Sequence, residues 1–230
     1  MTDTVAKKRE NPLLNILMNV AIPTLVLTKL SKPEYLGQKW SFIIAILFPV
    51  IYGIYDLILR KKYNLFSIIG FVSVLLTGGI GLMHLDGEWI VVKETSIPLL
   101  MGVVVILMEK MDKSFIKLLF KEIIDLEKIE SAYAEKKMSG TYLKVLRFSS
   151  YGLGLSFLLS AILNYVLAKV VLKGAPGSVE FNESLGTMTA LSFPVITIPM
   201  MLMFGFIMYR FFKNVKDVTN LEPEELIRNS

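Results

Sequence analysis

A lysine and a glutamate stand side by side within an apolar stretch of this 230-residue chain, where ionised side chains are costly and rare. Lys93 and Glu94 lie about one helical turn beyond Trp89, and Glu88 and Thr95 flank them. This cluster has the composition of a buried charge pair or of a gate for a small solute. Alternatively, Lys93 extends outward past Trp89 while Glu94 faces a polar mouth. Because neighbouring residues on a helix diverge, we expect the two not to pair easily with each other.

Asparagines form a second candidate polar site. Asn19 lies in the first apolar stretch, and Asn164 belongs to a row at i+4 spacing that also holds Gly152, Ser156 and Ser160. Small and hydroxyl side chains let another helix approach closely and hydrogen-bond across the contact, so we predict a packing face. The two asparagines are expected to meet at a shared polar centre, or to bind a solute if they face a cavity.

Small residues also recur in the third apolar stretch. Ser73, Thr77 and Gly81 form an i+4 row. Gly78 and Gly79 lie in the same part of the stretch and carry no side chain. Glycine permits close backbone approach between membrane helices. We therefore expect these residues to pack against another helix rather than to bind a ligand.

The residue types present leave little catalytic machinery. The chain has no cysteine and a single histidine, His84, which excludes disulfides, thiolate chemistry and a cluster of histidine ligands. An acid, a base and a nucleophile in a recognisable set are also missing from the sequence. We therefore expect no enzymatic activity, no metal and no cofactor.

Six apolar stretches near the length of a membrane span must position these side chains. With 53% apolar and 20% charged residues, the chain is more apolar than a typical soluble domain. The stretches lack the two-residue alternation of barrel strands, so each is expected to form a helix able to cross the hydrocarbon core. The sequence predicts an all-α integral membrane protein with six transmembrane helices, at residues 12–30, 41–59, 64–83, 89–108, 148–172 and 187–212.

The basic residues predict the orientation of these spans. With the N-terminus inside, 19 Lys and Arg residues fall on the cytoplasmic side and five on the other. Because cytoplasmic loops retain positive charge during insertion, both termini are expected in the cytoplasm. The formal net charge of +5 is then mostly a topology signal, and we expect no nucleic-acid partner.

Residues 109–147 form the one long polar connection, with nine basic and seven acidic residues. Within it Phe115, Leu119, Ile123 and Leu126 recur at helical spacing, which predicts an amphipathic helix. An interfacial helix along the inner leaflet and a solvated linker helix both fit this pattern. A partner-binding surface is a third interpretation, without support from the residues. The chain should end in a cytoplasmic tail, residues 213–230.

The sequence also carries signs of an internal duplication. A shift of 145 positions places Asn19 on Asn164 and brings the Phe-Pro-Val-Ile string at 48–51 onto the same string at 193–196. Both segments would enter the membrane from the same side, as in a parallel repeat. The resulting hypothesis is one membrane domain, residues 1–230, built of three helical hairpins at residues 12–59, 64–108 and 148–212.

Prolines mark the second helix of each hairpin, at Pro49, Pro98 and Pro194. Each proline removes one backbone donor and frees a carbonyl one turn earlier, so we expect a kink at each position. In lipid, a neighbouring helix must compensate for the freed carbonyl. A kink that shapes the bundle is favoured over a moving hinge.

Two sets of residues carry a family resemblance. The first has a Gly-Gly pair, then an acidic and an aromatic residue before isoleucine, and a later lysine and threonine, at residues 76–82, Glu88, Trp89, Ile90, Lys93 and Thr95. The second comprises residues 163–165, Phe181, Asn182, Gly186 and Leu191. Together they resemble the bacterial intracellular septation protein A family. Val91 and Glu94 depart from its pattern, which has lysine and proline at these positions. The resemblance implies an inner-membrane protein linked to cell division and envelope maintenance.

We therefore expect a non-enzymatic multi-pass protein of the bacterial inner membrane, similar to septation protein A. Its expected partners are the lipid bilayer and other envelope or division proteins of the membrane. The alternative is a small-solute transporter or channel-like protein, in which a polar path between kinked helices is lined by Lys93, Glu94, Asn19 and Asn164. A continuous polar cavity reaching the midplane would favour this alternative, and a tightly packed bundle centre would exclude it.

Overall fold

The computed structural model describes residues 14, 16–60, 65–83, 85–121 and 123–227, and their side chains except at 56–60, 65–71 and 74. His84 and the start of the first expected span lie outside these residues. The regular elements of the described chain are helices: α1 (Leu17–Lys29), α2 (Gly37–Arg60), α3 (Leu65–Leu82), α4 (Glu88–Lys110), α5 (Phe115–Phe120), α6 (Leu126–Glu135), α7 (Ser139–Val171), α8 (Val179–Thr219) and a 3-10 turn (Pro223–Leu226).

Within the described residues, four helical segments are long and apolar enough to cross a membrane, so the fold is that of an α-helical membrane protein. They correspond to the second, fourth, fifth and sixth predicted spans, and they are Gly37–Tyr55, Glu88–Lys110, Ser139–Val171 and Val179–Thr219. In its described part α1 is a shorter apolar helix. The first seven residues of α3 lie among those without described side chains.

The prolines expected to kink helices lie in two kinds of backbone. Pro49 and Pro98 are inside α2 and α4, which remain α-helical through them. Pro194 instead lies in a π-helical segment of α8, Phe193–Thr197. A π turn is a local irregularity of the hydrogen-bond ladder, and a proline is one of its physical causes because it cannot donate.

A second π segment, Leu17–Ala21, opens α1. In α1 and in α8 a proline follows the π segment by two residues, at Pro23 and Pro199. The wider turn makes room for a pyrrolidine ring that would otherwise clash with the carbonyl four residues earlier. Both helices therefore accommodate their prolines in the same way.

The described chain divides into two compact units. Unit 1 comprises the described residues of Met1–Glu94 together with Asn164–Val195. Within it, α1 packs against α2 and against the first part of α8, and α2 packs against α3. The approach of α1 to α8 is close because Gly186 has no side chain: a Cβ there would lie 2.9 Å from atoms of Leu27 and Thr28.

Unit 2 comprises Thr95–Leu163 and the described residues of Ile196–Ser230. It contains α5, α6 and the 3-10 turn, and its core is apolar and rich in aromatic rings. Tyr133 is fully buried, and its ring centroid lies 5.3 Å from that of Tyr142. Phe211 of α8 and Leu226 of the 3-10 turn are buried in the same cluster. The polar connection is therefore part of a folded core.

The connection at 109–147 differs from the single amphipathic helix expected there. It forms the two short helices α5 and α6, whose first turns are capped by the side chains of Ser114 and Asp125. Ile123 was expected on the apolar face and is 56% exposed. The physical reason is that the chain leaves the helical path between α5 and α6, where Ile124 forms an antiparallel bridge with Ile227.

The apolar side of α6 is covered by the protein itself. Leu126, Ile129 and Tyr133 recur at helical spacing and are buried in the core of unit 2. The opposite side is polar and exposed, with Glu127, Lys128, Glu130, Ser131 and Glu135. This helix therefore has no apolar face left to lie on the inner leaflet as an interfacial helix would.

Candidate functional site

The Lys93 ammonium lies between α3 and α4 and has three polar partners. Its Nζ donates to Thr77 Oγ1 at 2.7 Å and to Ser73 Oγ at 3.2 Å. It also forms an ion pair with Glu94 Oε1 at 2.6 Å. Lys93 is 8% exposed, and the Glu94 side chain is 29% exposed. These four residues are called the Lys93 cluster below.

The row of small residues on α3 provides the acceptors of this cluster. Ser73 and Thr77 are four residues apart, so their hydroxyls lie on one face of the helix. Thr77 Oγ1 donates its own hydrogen to the Ser73 carbonyl at 3.1 Å. Because a hydroxyl oxygen accepts as well as donates, this bond leaves Thr77 Oγ1 able to accept from Lys93.

The expectation that Lys93 and Glu94 do not pair easily is wrong. Their Cα–Cβ bonds point in different directions, but both side chains are long and flexible enough to fold back towards each other. The hydroxyls of α3 hold the ammonium on the side from which the Glu94 carboxylate reaches it. Lys93 is thus in a buried charge pair and does not extend outward past Trp89.

The pairing explains how a charged group is tolerated in a candidate span. An ammonium has three N–H donors, and each finds an acceptor in the Lys93 cluster. An unpaired charge at this depth would be expensive, whereas these bonds offset part of the desolvation cost. The arrangement can tie α3 to α4, and it leaves the ammonium with no further donor for a solute.

Glu88 belongs to a different contact. Its two carboxylate oxygens accept from Lys169 Nζ at 2.6 and 2.7 Å, which joins the first turn of α4 to the end of α7. The two side chains are 60% and 40% exposed. Exposed ion pairs of this kind contribute little to stability, because water screens the charges. The structure therefore separates Glu88 from the Lys93 cluster.

The remaining members of the predicted polar site are Asn19, Asn164 and Thr95. Asn19 and Asn164 both belong to unit 1 and are partly buried. Their meeting at a shared polar centre stays a prediction. Thr95 belongs to unit 2, where its Oγ1 is buried and has no hydrogen-bond partner among the described residues.

Glycines of α3 differ in what they face. A Cβ on Gly78 would lie 3.4 Å from Ile46 of α2, and a Cβ on Gly81 would overlap the ring of Phe42. Gly79 has open space at the same position. Close packing of α2 on α3 thus depends on Gly81, which is also the last member of the row that provides the Lys93 acceptors.

The predicted packing row on α7 contains a close contact with another helix and a local hydrogen bond. A Cβ on Gly152 would lie 3.1 Å from Ile207 of α8. Ser156 is buried, but its hydroxyl donates to the Gly152 carbonyl at 2.9 Å within α7. Ser160 is partly buried. Gly152 therefore packs closely against another helix of unit 2.

Closer helix contacts in unit 2 involve two glycines that the sequence did not single out. A Cβ on Gly102 of α4 would lie 3.0 Å from the Gly154 carbonyl of α7, and a Cβ on Gly154 would lie 2.8 Å from Ile106. Gly102 is the one glycine of its predicted span, and Gly154 lies two residues after Gly152 and therefore outside the i+4 row. The available signal was the presence of a mid-span glycine in each helix.

Asn182 is a buried polar residue whose contact the sequence did not predict. It is 1% exposed, and its Nδ2 donates to the Gln38 carbonyl at 2.8 Å, which joins the first turn of α8 to the start of α2. Its Oδ1 is buried without a hydrogen-bond partner in the described part of the chain. Asn182 therefore joins two helices of unit 1, as Lys93 does.

Comparison with known proteins gives no further assignment. No protein-family model, curated protein or solved structure matches this chain. The function is therefore argued from the residues and their geometry.

Proposed function

We propose that this chain is a non-enzymatic multi-pass protein of the bacterial inner membrane and an interaction protein in envelope maintenance or cell division. The observation that carries the proposal is the closed Lys93 cluster. Its ammonium donates all three hydrogen bonds to the hydroxyls of α3 and to Glu94. Polar groups within the spans then hold helices together, and the folded connection at 109–147 is the part offered to partners.

Six crossings with both termini in the cytoplasm are part of the proposal. In addition to the four long segments, α3 has 18 residues and no charged side chain, which is close to the length that a span needs. The apolar character of α1 continues into residues 12–16 of the sequence. The distribution of 19 basic residues against five supports the orientation.

The exposed side of α6 supports an interaction role in water. This side is charged, and Lys117 of α5 adds an ion pair with Glu130 at 2.8 Å. A charged face is costly against lipid tails, so it is expected to face the cytoplasm or a polar partner. Because the apolar face of α6 is buried in unit 2, the surface is held in a defined shape.

The resemblance to the septation protein A family supports the proposed role through its motifs. Two motif residues, Lys93 and Asn182, each join a pair of helices in unit 1. Such contacts depend on the residue type at each position and involve no catalysis. Motif residues that join helices are therefore compatible with a structural role in the membrane.

Crosslinking from α6 in growing cells tests the proposal. The chain contains no cysteine, so Ser131→Cys introduces one thiol on the exposed side of α6. Ala175→Cys, in the exposed turn between α7 and α8, is the matched control because one span separates it from Ser131. We expect Ser131→Cys to capture envelope or division proteins that Ala175→Cys does not. Capture of nothing, or of the same proteins from both positions, would refute the interaction role.

A small-solute transporter is the second candidate, favoured by one observation. The Glu94 side chain is 29% exposed, so the carboxylate of the Lys93 cluster is partly accessible. A transported solute would raise the melting temperature of the purified protein, and Glu94→Gln would abolish this effect. Solute-dependent stabilisation together with no captured partner would replace the first proposal with this one.

A further inference from the structure

A cleft of about 460 Å³ lies between α7 and α8 in unit 2, outside the Lys93 cluster. Three basic side chains line it, Lys144 from α7 and Arg210 and Lys213 from α8. The cleft has one carboxylate among its lining residues, Asp217, so positive charge is in excess. It is called the basic cleft below, and its charge favours an anionic ligand.

The basic cleft lies where the apolar parts of both helices end. The apolar stretch of α7 begins at Phe148, and that of α8 ends just before Lys213. The Arg210 guanidinium lies 5.7 Å from the centroid of the Phe148 ring, and Lys213 Nζ lies 6.0 Å from that of Tyr209. These cation–π contacts hold the charges at the level that lipid headgroups occupy when both helices cross a bilayer.

A buried hydroxyl without a partner belongs to one of the residues that line the same site. Ser149 lines the basic cleft, is 1% exposed, and its Oγ has no hydrogen-bond partner in the described part of the chain. Other helical hydroxyls, such as those of Ser156 and Thr219, donate to the carbonyl four residues earlier. An unsatisfied buried hydroxyl is unfavourable, and a ligand with acceptor oxygens would satisfy it.

We propose that the basic cleft binds the phosphate group of an anionic phospholipid. A phosphate offers only acceptors, which suit the guanidinium fork of Arg210, the two ammonium groups and the Ser149 hydroxyl. Asn214 adds a donor. Its Oδ1 accepts from the Tyr133 hydroxyl at 3.0 Å, so its Nδ2 amide group can donate to a phosphate oxygen.

A lipid is favoured over a soluble phosphate by the position of the basic cleft. Phe148 is 50% exposed beside the charges and offers an apolar surface to the glycerol and acyl part of a lipid. Basic pockets between membrane helices are suited to anionic headgroups. The inference shares with the proposed function only that α7 and α8 cross the bilayer, and it does not depend on the interaction role.

Thermal unfolding of the full chain in lipid nanodiscs, combined with native mass spectrometry, tests the inference. Discs of phosphatidylcholine are compared with discs that also contain phosphatidylglycerol. We expect phosphatidylglycerol to raise the melting temperature of the wild type and to remain bound. Arg210→Gln/Lys213→Gln should lower the apparent affinity by on the order of tenfold or more. Ser149→Ala should lower it by about fivefold.

Two matched controls separate the site from general effects. Lys113→Gln/Lys121→Gln removes two exposed charges from unit 2 outside the basic cleft. Ser150→Ala removes a fully buried hydroxyl that contacts Ser114 Oγ at 3.2 Å. Both controls should bind phosphatidylglycerol as the wild type does.

Three results would overturn the assignment to a lipid phosphate. The first is a wild type whose melting temperature does not change with phosphatidylglycerol. The second is a loss of affinity in Lys113→Gln/Lys121→Gln that equals the loss in Arg210→Gln/Lys213→Gln. The third is stabilisation by inorganic phosphate in phosphatidylcholine discs without an effect of phosphatidylglycerol, which would assign the site to a soluble phosphate compound. If Arg210→Gln/Lys213→Gln does not fold, the comparison of Ser149→Ala with Ser150→Ala decides.

Discussion

The two units hold their helices together by different contacts. Both units bring helices close together at glycines, such as Gly186 in unit 1 and Gly102 in unit 2, but unit 1 also joins helices by polar bonds, with the Lys93 cluster between α3 and α4. Unit 2 has a continuous apolar core around α5 and α6, in which Tyr133, Tyr142 and Phe211 are fully buried. The first type is common between membrane helices and the second in water-soluble domains.

The difference follows from the solvent that each contact competes with. Lipid tails are as apolar as a leucine side chain, so helices in lipid gain mainly from tight packing and from hydrogen bonds. In water, burial of apolar surface is the dominant favourable term. The comparison supports our proposal that α5 and α6 lie in water and the Lys93 cluster within the membrane.

The largest expected effect is in the core of unit 2. Phe211→Ala should lower the free energy of unfolding by about 3–5 kcal/mol, because a large ring is removed from a closed core. Phe206→Ala is the control on the same helix, since Phe206 is 58% exposed. Thermal unfolding of the purified variants measures both. Equal shifts for the two would mean that unit 2 lacks a core of the water-soluble type.

Breaking the Lys93 cluster comes next. Lys93→Ala leaves the Glu94 carboxylate without its cation, and we expect a loss of about 2–3 kcal/mol, below the value for a fully buried pair because Glu94 is partly exposed. Lys169→Ala breaks an exposed pair and should change the stability much less. An unchanged melting temperature for Lys93→Ala would leave Lys93 without a role in joining α3 to α4.

The glycines of α3 provide a test with opposite signs. Gly81→Ala places a Cβ against the Phe42 ring, which is 5% exposed and has little room to move, so about 1–3 kcal/mol should be lost. Gly79→Ala meets open space and should gain up to about 1 kcal/mol from helix propensity. The two melting temperatures should move in opposite directions. A shift of the same sign would contradict the packing of α2 on α3.

A pH dependence is expected in α6, and it is confined to alkaline pH. Burial, with a further contribution from Asp217, raises the pKa of Tyr133 to about 12. The usual tyrosine pKa is about 10, so the folded state favours the neutral phenol. This stabilisation is fully present below about pH 10 and is lost as the pH rises to about 12, by at most about 1.4 kcal/mol per pH unit.

Tyr133→Phe removes the group that titrates. The variant should lose less stability than the wild type between about pH 9 and about pH 11, measured by thermal unfolding at each pH. An identical alkaline loss in both proteins would show that other groups carry it.

The sequence predicted most of the long helices but not which helices pack against each other. Of the six spans that the apolar stretches predicted, four are confirmed among the described residues as helices long and apolar enough to cross a membrane. The row of Ser73, Thr77 and Gly81 gave the packing face of α3, but which helix meets it depends on the packing of the whole bundle. The acceptors of Lys93 therefore could not be predicted from spacing along the chain.

The break between α5 and α6 was missed for a related reason. Apolar spacing continues from Phe115 to Leu126 as if one helix ran through it. What ends the helix is the Asp125 cap and a bridge from Ile124 to Ile227, which lies near the other end of the chain. A helix that is interrupted by such a distant contact leaves no local signal except the capping residue.

Thiol labelling in bacterial spheroplasts tests the central claim, that the chain is threaded through the membrane with residues 109–147 in the cytoplasm. The span α7 separates Ser131 from Ala175, and both positions are exposed. A membrane-impermeant maleimide should label Ala175→Cys in intact spheroplasts and Ser131→Cys only after they are lysed. Labelling of Ser131→Cys before lysis, or of both positions alike, would contradict the account.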